Sequence, residues 1–433
     1  MTAEVAVFNS YGIALAADSA VTTSLGDSEK IYNNADKLFQ LSKVNPVAIM
    51  IYNNASINGS PWELLIKAFK SEKGNLDLPT VHSYAVEFFK FIVEKKSIIT
   101  EHHTSKFIRG FFRQVISSFL YEFQQVELVN FIVTAQRNPT PSECHSLMLM
   151  KVKLLVSECD GFDFYNEFSE DDISFSIDNN YFLSKEVCLE YIPHDENPTS
   201  PVPDELIIEF NKLFSIKLCK DTNNQSFTGI VFAGYGTEEY YPYLEDYKVY
   251  GVYNNKLMIS KNVIDNKGHT SGIKPFAQDD EVNTFMEGCS KGLAYHMKNT
   301  ILNNLQVLKG NIAHLISTTN NSITEGDVHN AFDAVSANYM NDCVTSIDSY
   351  IKENHVHKVL SILGVLAKPD LGYMAESLVN LTAFKRKISN DSDTVGGPID
   401  VAILSKGDGF IWLKRKHYFN KDLNYTFHNR QSK

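Results

Sequence analysis

The segment from Thr2 to Thr22, TAEVAVFNSYGIALAADSAVT, carries two short apolar runs on either side of a turn. Glu4 to Phe8 alternates and is rich in valine. Asn9-Ser10-Tyr11-Gly12 has turn chemistry, and Ile13 to Ala17 continues as a second run. Period-two alternation of β-branched residues marks strands, while Asn, Ser and Gly supply the backbone angles of tight turns. The segment predicts an N-terminal β-hairpin.

Working outward, Lys37 to Leu41 and Pro46 to Tyr52 read as a second strand pair, the latter apolar enough to be buried on both faces. Ser60-Pro61-Trp62-Glu63 has the form of a capping box, with Ser60 as N-cap, Pro61 at the first helical position and Glu63 closing the box. It predicts a helix to about Lys70. Helical spacing then governs Val81 to Lys95, Phe107 to Arg137, Ser142 to Cys159 and Asp204 to Leu218. Ser169 to Pro203, acidic and rich in Asn and Pro, reads as irregular, with Ser169 to Asp172 a solvated turn or helix start. Strand patterns return at Thr228 to Ala233 and Tyr247 to Tyr253, helical ones at Glu281 to Leu308 and Asp327 to Leu366. Pro369 opens a helix to about Ile388, and Pro398 to Lys406 with Phe410 to Arg415 closes the chain as a strand pair.

Strands from both ends of the chain, separated by helices, suit an α+β fold of antiparallel sheets covered by helical layers. Residues 1–75, 226–299 and 369–433 are the expected core segments, and 76–225 and 300–368 the helical insertions.

Composition narrows the function. Of 433 residues, 43% are hydrophobic and 21% charged, which supports a packed core throughout. The formal net charge of -12 disfavours nucleic acid and anionic membrane as partners. The basic run Lys414-Arg415-Lys416-His417 reads as a solvated strand end. No apolar run reaches the roughly 18 residues of a membrane-spanning helix, and the N-terminus lacks the pattern of a signal peptide. Six cysteines without a CxxC pair read as free thiols in a reducing, cytoplasmic compartment. His102-His103 and His355-x-His357 lack the spacing of helical metal ligands, and no phosphate loop or GxSxG elbow occurs.

More specific is the order of short motifs. The threonine before the first strand, the Gly12 turn, Asp18 and Thr22 resemble the start of a mature proteasome β subunit, in the same register from Thr2 onward. Lys37, in Asp36-Lys37-Leu38-Phe39, matches that family's lysine at the head of a short strand. Gly229 to Tyr235, the helix over Gly372 to Lys387 and Gly396-Gly397-Pro398 to Ile403 resemble later family segments, so the likeness covers about 200 residues with the helical blocks unmatched.

The resemblance implies a four-layer αββα sandwich of the N-terminal-nucleophile (Ntn) hydrolase type with two helical insertions. It also implies a threonine peptidase or amidohydrolase that uses no cofactor and no metal, acts on a peptide or small amide, and self-associates. Thr2, freed by removal of Met1, would supply both the attacking hydroxyl and, as its own α-amine, the base. Lys37 would favour the neutral amine and the developing alkoxide, and Asp18 would hold Lys37 charged. For the supporting positions, Gln278 or Asp279 substitutes for a family serine, or their segment only caps the following helix. The later pair falls on Ser392 and Val395 in strict register, or on Asp391 and Thr394 after a one-residue slip. Asn53-Asn54 replaces glycine backbone that receives extended substrate in the family, which leaves peptide threading open. The alternative is a non-catalytic proteasome-like subunit that binds a partner through its insertions.

Overall fold

The computed structural model of the protein describes residues 3–25, 28–192, 201–222, 226–262, 271–319, 325–388, 395–420 and 423–424. The chain begins with β1 (Glu4–Asn9), β2 (Gly12–Ala17), β3 (Val21–Leu25), β4 (Ser28–Tyr32), β5 (Leu38–Gln40) and β6 (Val47–Asn53). Two-residue strands β7 (Ser56–Ile57) and β8 (Ser60–Pro61) lead into α1 (Trp62–Lys73) and α2 (Val81–Glu94). A helical stretch follows, with α3 (Glu101–Phe123), α4 (Val129–Ala135), α5 (Pro141–Asp160), α6 (Glu170–Tyr191) and α7 (Asp204–Cys219). Then come β9 (Thr228–Gly234), β10 (Tyr243–Tyr253), β11 (Lys256–Asn262) and β12 (Gly272–Ala277). The last part holds α8 (Asp280–Glu287), α9 (Lys291–Thr319), α10 (Glu325–Ile351), α11 (His357–Leu363), α12 (Lys368–Ile388), β13 (Asp400–Ser405) and β14 (Gly409–Lys414).

These elements form an α+β protein with antiparallel sheets in two compact units, one comprising Met1–Leu38, Tyr240–Pro242 and Asn266–Lys433, the other Phe39–Glu239 and Tyr243–Asp265. The first unit contains a five-stranded sheet of order β12-β1-β2-β13-β14. The expected hairpin is its centre: β1 pairs with β2 from Glu4↔Ala17 to Asn9↔Gly12. Asn9 closes the turn, because its side-chain oxygen accepts from the Tyr11 N–H at 2.8 Å while its amide nitrogen donates to the carbonyls of Leu363 and Leu366. One face of the sheet (Val5, Val7, Ala14, Ala16, Val401, Ile403) packs on Leu371, Ala375, Leu378 and Val379 of α12. Gly372 permits the close approach, since a Cβ there would lie 2.3 Å from a Leu413 methyl. The alternate residues Ala6, Phe8, Ile13, Leu15, Ala402 and Leu404 are also buried, so this sheet is apolar on both sides.

The second unit contains the sheet β11-β10-β9-β6-β5. Its Ile49, Ile51, Ile230 and Phe232 pack on Trp62, Phe69, Phe88 and Phe91 of α1 and α2, and the Trp62 indole donates to Thr228 Oγ1 at 2.9 Å. A separate core joins α3, α5, α6 and α7, with the Phe112 and Phe214 rings stacked at 4.5 Å.

Three local expectations need correction. The capping box at Ser60 does not form: α1 starts at Trp62 behind Pro61, and Ser60 Oγ instead donates to the Ile98 carbonyl at 2.9 Å. Pairing of Ser56-Ile57 with Ser60-Pro61 holds that segment extended, so tertiary contact overrides the local capping signal. The stretch after Ser169 is largely the helix α6, not irregular. Its buried face reads Ile173, Ser176, Asn180, Ser184, Val187, a helical spacing written mostly in small polar residues. Those groups are satisfied internally, as in Ser184 to Asn211 at 2.7 Å and Asn180 to the Tyr253 hydroxyl at 3.0 Å, so hydrophobic periodicity never shows the helix. Finally, Tyr253 and Lys256 are joined through Asn254-Asn255, both with positive φ (49° and 57°), in a tight hairpin that creates the unanticipated β11.

Candidate active site

Register brings the candidate residues to one end of the first unit's sheet. Glu4 at the start of β1 pairs with Ala17 on one side and Ala277 on the other, and Asp400 pairs with Ala17 across β2. Asp18 therefore follows the end of β2, Gln278 and Asp279 follow the end of β12, and Asp400 opens β13, all at the edge where the chain enters β1.

Asp18 is almost fully buried, 1% exposed, and every acceptor direction of its carboxylate is used. Oδ1 accepts from the Ala3 N–H at 3.1 Å and from Lys37 Nζ at 2.5 Å. Oδ2 accepts from the N–H groups of Ala20 at 3.3 Å and Gly396 at 3.0 Å. Lys37 is 3% exposed, so both charges of the pair are out of water. Such a pair persists only when hydrogen bonds replace lost hydration, and three backbone donors plus the ammonium do this for the carboxylate.

Backbone around the pair is fixed as tightly. The Asp18 N–H donates to the Ala3 carbonyl at 3.1 Å, the Ser19 N–H to Gly396 at 3.2 Å, and the Ala35 N–H to Ser19 at 3.2 Å, while Ser19 Oγ donates to the Pro398 carbonyl. Gly397 has φ +78°, and a Cβ there would sit 2.9 Å from that of Asn33. Only glycine meets both conditions. The paired glycines thus serve two tasks: Gly396 supplies an N–H to Asp18, and Gly397 lets its loop pass the connection between β4 and β5 that leads to Lys37.

A second buried pair stands beside the first. Asp400, 2% exposed, accepts from the Lys416 N–H at 2.8 Å and from its Nζ at 2.5 Å, and Nζ also lies 3.4 Å from Asp36. Sequence reasoning missed this pair. The basic run is not a uniformly solvated strand end: Lys414 is, with its side chain 55% exposed, whereas that of Lys416 is 9% exposed. No local signal separates the two lysines: strand alternation would give positions 414 and 416 the same face, and Lys416 lies beyond the end of β14, where only its contact with Asp400 turns it inward.

Of the remaining candidates, Gln278 takes the left-handed conformation at φ +55° with its side-chain oxygen buried. Asp279 directs its carboxylate to Asn283 at 2.5 Å and Lys291 at 3.0 Å. Burial tends to raise the Asp279 pKa, but hydrogen bonding and charge from Lys291, with Asn283, outweigh it and leave the carboxyl below its ordinary value. Val395 is buried in the α12 core. Thr2, Asp391, Ser392 and Thr394 lie outside the described residues, as does the side chain of Thr22. Asn53, at the end of β6 in the second unit, is exposed with φ +64°, and Asn54 bonds Ser226 at 2.9 Å.

Chemically, the site is a lysine fixed in a low-dielectric position by a carboxylate that simultaneously grips the Ala3 peptide N–H just before β1. A fixed buried cation stabilises negative charge that develops nearby without reorganising, and it disfavours protonation of a neighbouring amine. Among the described residues, no group of three or more His, Cys, Asp or Glu side chains is arranged to hold a metal ion, and no helix is long and apolar enough to cross a membrane. Comparison with family models and with characterised proteins finds no match to this chain.

Proposed function

We propose that this chain is an N-terminal-threonine amidohydrolase or peptidase of the proteasome β type, with the four-layer αββα core of that type. The observation that carries this reading is the shared Asp18 oxygen, which accepts from Lys37 Nζ and from the N–H of Ala3. That peptide nitrogen is covalently joined to Thr2, so Asp18 anchors the bond next to the nucleophile and the cation that would serve it. Burial of both faces of the first unit's sheet supports the stacked core.

In this mechanism the Thr2 hydroxyl attacks an amide carbonyl and its proton passes to the Thr2 α-amine. Lys37 lowers the cost of the alkoxide in the tetrahedral intermediate and keeps the amine neutral enough to act as base. Collapse expels the leaving amine, which takes the proton from the α-ammonium, and leaves an ester on Thr2. Water activated by the same amine then hydrolyses the ester and regenerates the hydroxyl. Asp18 holds Lys37 in place, and so acts as a positioning residue.

Other parts of the proposal have narrower support. Tyr373, Leu381, Phe384 and Ile388 expose an apolar stripe on α12, which supports self-association through a core helix. All six cysteines are free thiols, in keeping with a cytoplasmic protein.

A threonine-directed epoxyketone tests the reading, because it needs the hydroxyl and the free amine of one residue. Labelling of Thr2, found by intact mass and peptide mapping, is expected in the wild type and absent in Thr2→Ala. Lys37→Ala should label more slowly by tenfold or more. A protein confirmed to begin at Thr2 that does not label is instead the non-catalytic subunit, in which the Asp18–Lys37 pair only ties β1, β2 and the glycine loop together.

A further inference from the structure

We infer that the groove between α2 and the edge strand β11 is a binding site for a short apolar peptide with both termini free. The inference concerns the second unit alone and does not depend on the hydrolase reading.

The groove encloses about 590 Å³, within the range of small-molecule and peptide pockets. Its floor is apolar, with Phe89 of α2 facing Leu257 and Ile259 of β11, and the Phe89 and Tyr247 rings meet edge-on at 5.0 Å. Its two ends differ in charge. At one end, Glu245, 2% exposed, is fixed beneath the surface by Tyr247 Oη at 2.5 Å, Lys261 Nζ at 2.5 Å and His82 Nδ1 at 3.1 Å. Lys261 and His82 remain about half exposed, with side chains at 47% and 54%, so each presents further N–H or ring-nitrogen capacity to the groove. This end is a donor cluster held in place from below.

At the other end are two carboxylates. Glu94 is in the last turn of α2, twelve residues from His82, which is about 18 Å along a helix. Glu167 is beside Phe168, whose ring lies under Lys256 Nζ at 5.6 Å, and Lys256 starts β11 at the end away from Lys261. Neither glutamate makes an ion pair among the described residues, although both are exposed and line the groove. Glu167 moreover holds φ +71°, a conformation that costs a non-glycine residue free energy and that recurs where side chains are aimed for binding. Lys90, midway on α2, keeps the groove from being uniformly acidic.

Donors at one end, carboxylates at the other and an apolar floor between them match a molecule with a carboxylate head, an apolar body and an ammonium tail. The separation of about 13 to 18 Å, from strand and helix rise, is that of an extended chain of four or five residues. A peptide of that length places its C-terminal carboxylate at Lys261 and His82 and its N-terminal ammonium at Glu94 and Glu167. Among the described residues β11 is the outermost strand of its sheet, and it runs alongside.

The test is calorimetric titration of the full chain with the tetrapeptide Val-Leu-Val-Leu, against the same peptide N-acetylated, C-amidated or both. Saturable binding of the free peptide is expected, weakened at least tenfold by either cap and lost with both. Glu94→Gln with Glu167→Gln, both on the surface and harmless to folding, should abolish the effect of N-acetylation while leaving that of C-amidation. Lys261→Met should do the converse, with circular dichroism verifying its fold. Equal binding of free and doubly capped peptide, or no saturable binding up to millimolar concentration, overturns the inference.

Discussion

Asp18 in one unit and Glu245 in the other are both almost fully buried carboxylates, the first just past a strand end and the second on a strand, yet they are stabilised differently. Asp18 is held chiefly by backbone, with three N–H groups and one buried ammonium, and nothing in its shell can move without moving a strand or a loop. Glu245 is held by side chains, two tyrosine hydroxyls, a lysine and a histidine, of which the last two reach solvent. Backbone donors make a fixed charge that holds its cation rigidly; side-chain donors make an adjustable surface. The difference lies in what surrounds each acid, since both are equally hidden from water.

The contrast should appear first in stability. Lys37→Met leaves Asp18 buried without its cation, and removing one partner of a buried pair costs about 3–5 kcal/mol. Urea denaturation should show a loss of that order. A loss under about 1 kcal/mol would mean that the three backbone N–H groups suffice and that Lys37 is retained for function alone.

Glu245→Gln should cost less, about 1–3 kcal/mol, because its amide oxygen can still accept while Lys261 and His82 turn to water. Should this variant prove as damaging as Lys37→Met, the distinction between a rigid and an adjustable shell would collapse.

Acid gives a smaller and more selective effect. Burial pushes the Glu245 carboxyl up, but the combined hydrogen bonds from Lys261, Tyr247 and His82, with the Lys261 charge, pull it below its ordinary value. A depressed folded-state pKa contributes stability that is complete above about pH 4.3, the unfolded glutamate value, and is lost as pH falls through the lower folded value. The stability gap between wild type and Glu245→Gln should therefore narrow with acid below pH 4.3. A gap that widens in acid would reverse the sign and show a carboxyl protonated in the native state.

Much of the frame was readable from local chemistry. Valine alternation around Asn9 to Gly12 gave the first hairpin, and Lys37 and Asp18 could be paired on paper through the order of motifs alone. The hairpin of β10 and β11 was also legible, for Asn254-Asn255 is a tight-turn signal. By contrast, α6 hides its buried face in serine and asparagine, and periodicity of apolar residues cannot reveal a helix packed through hydrogen bonds.

What the sequence determined by itself is the set of elements whose codes are local: strand alternation, turn residues, helix spacing, and an acid after an alanine-rich strand end. Only the tertiary structure decided which distant groups complete the site. Nothing near Asp18 announces that Gly396, 378 residues away, donates to it, or that β12 lies against β1 and aligns Gln278 with the same edge. Nor does the run Lys414 to His417 tell which lysine turns inward to Asp400. Such partners are fixed when sheet register closes over long separations, and register depends on how whole faces pack rather than on any short stretch of chain.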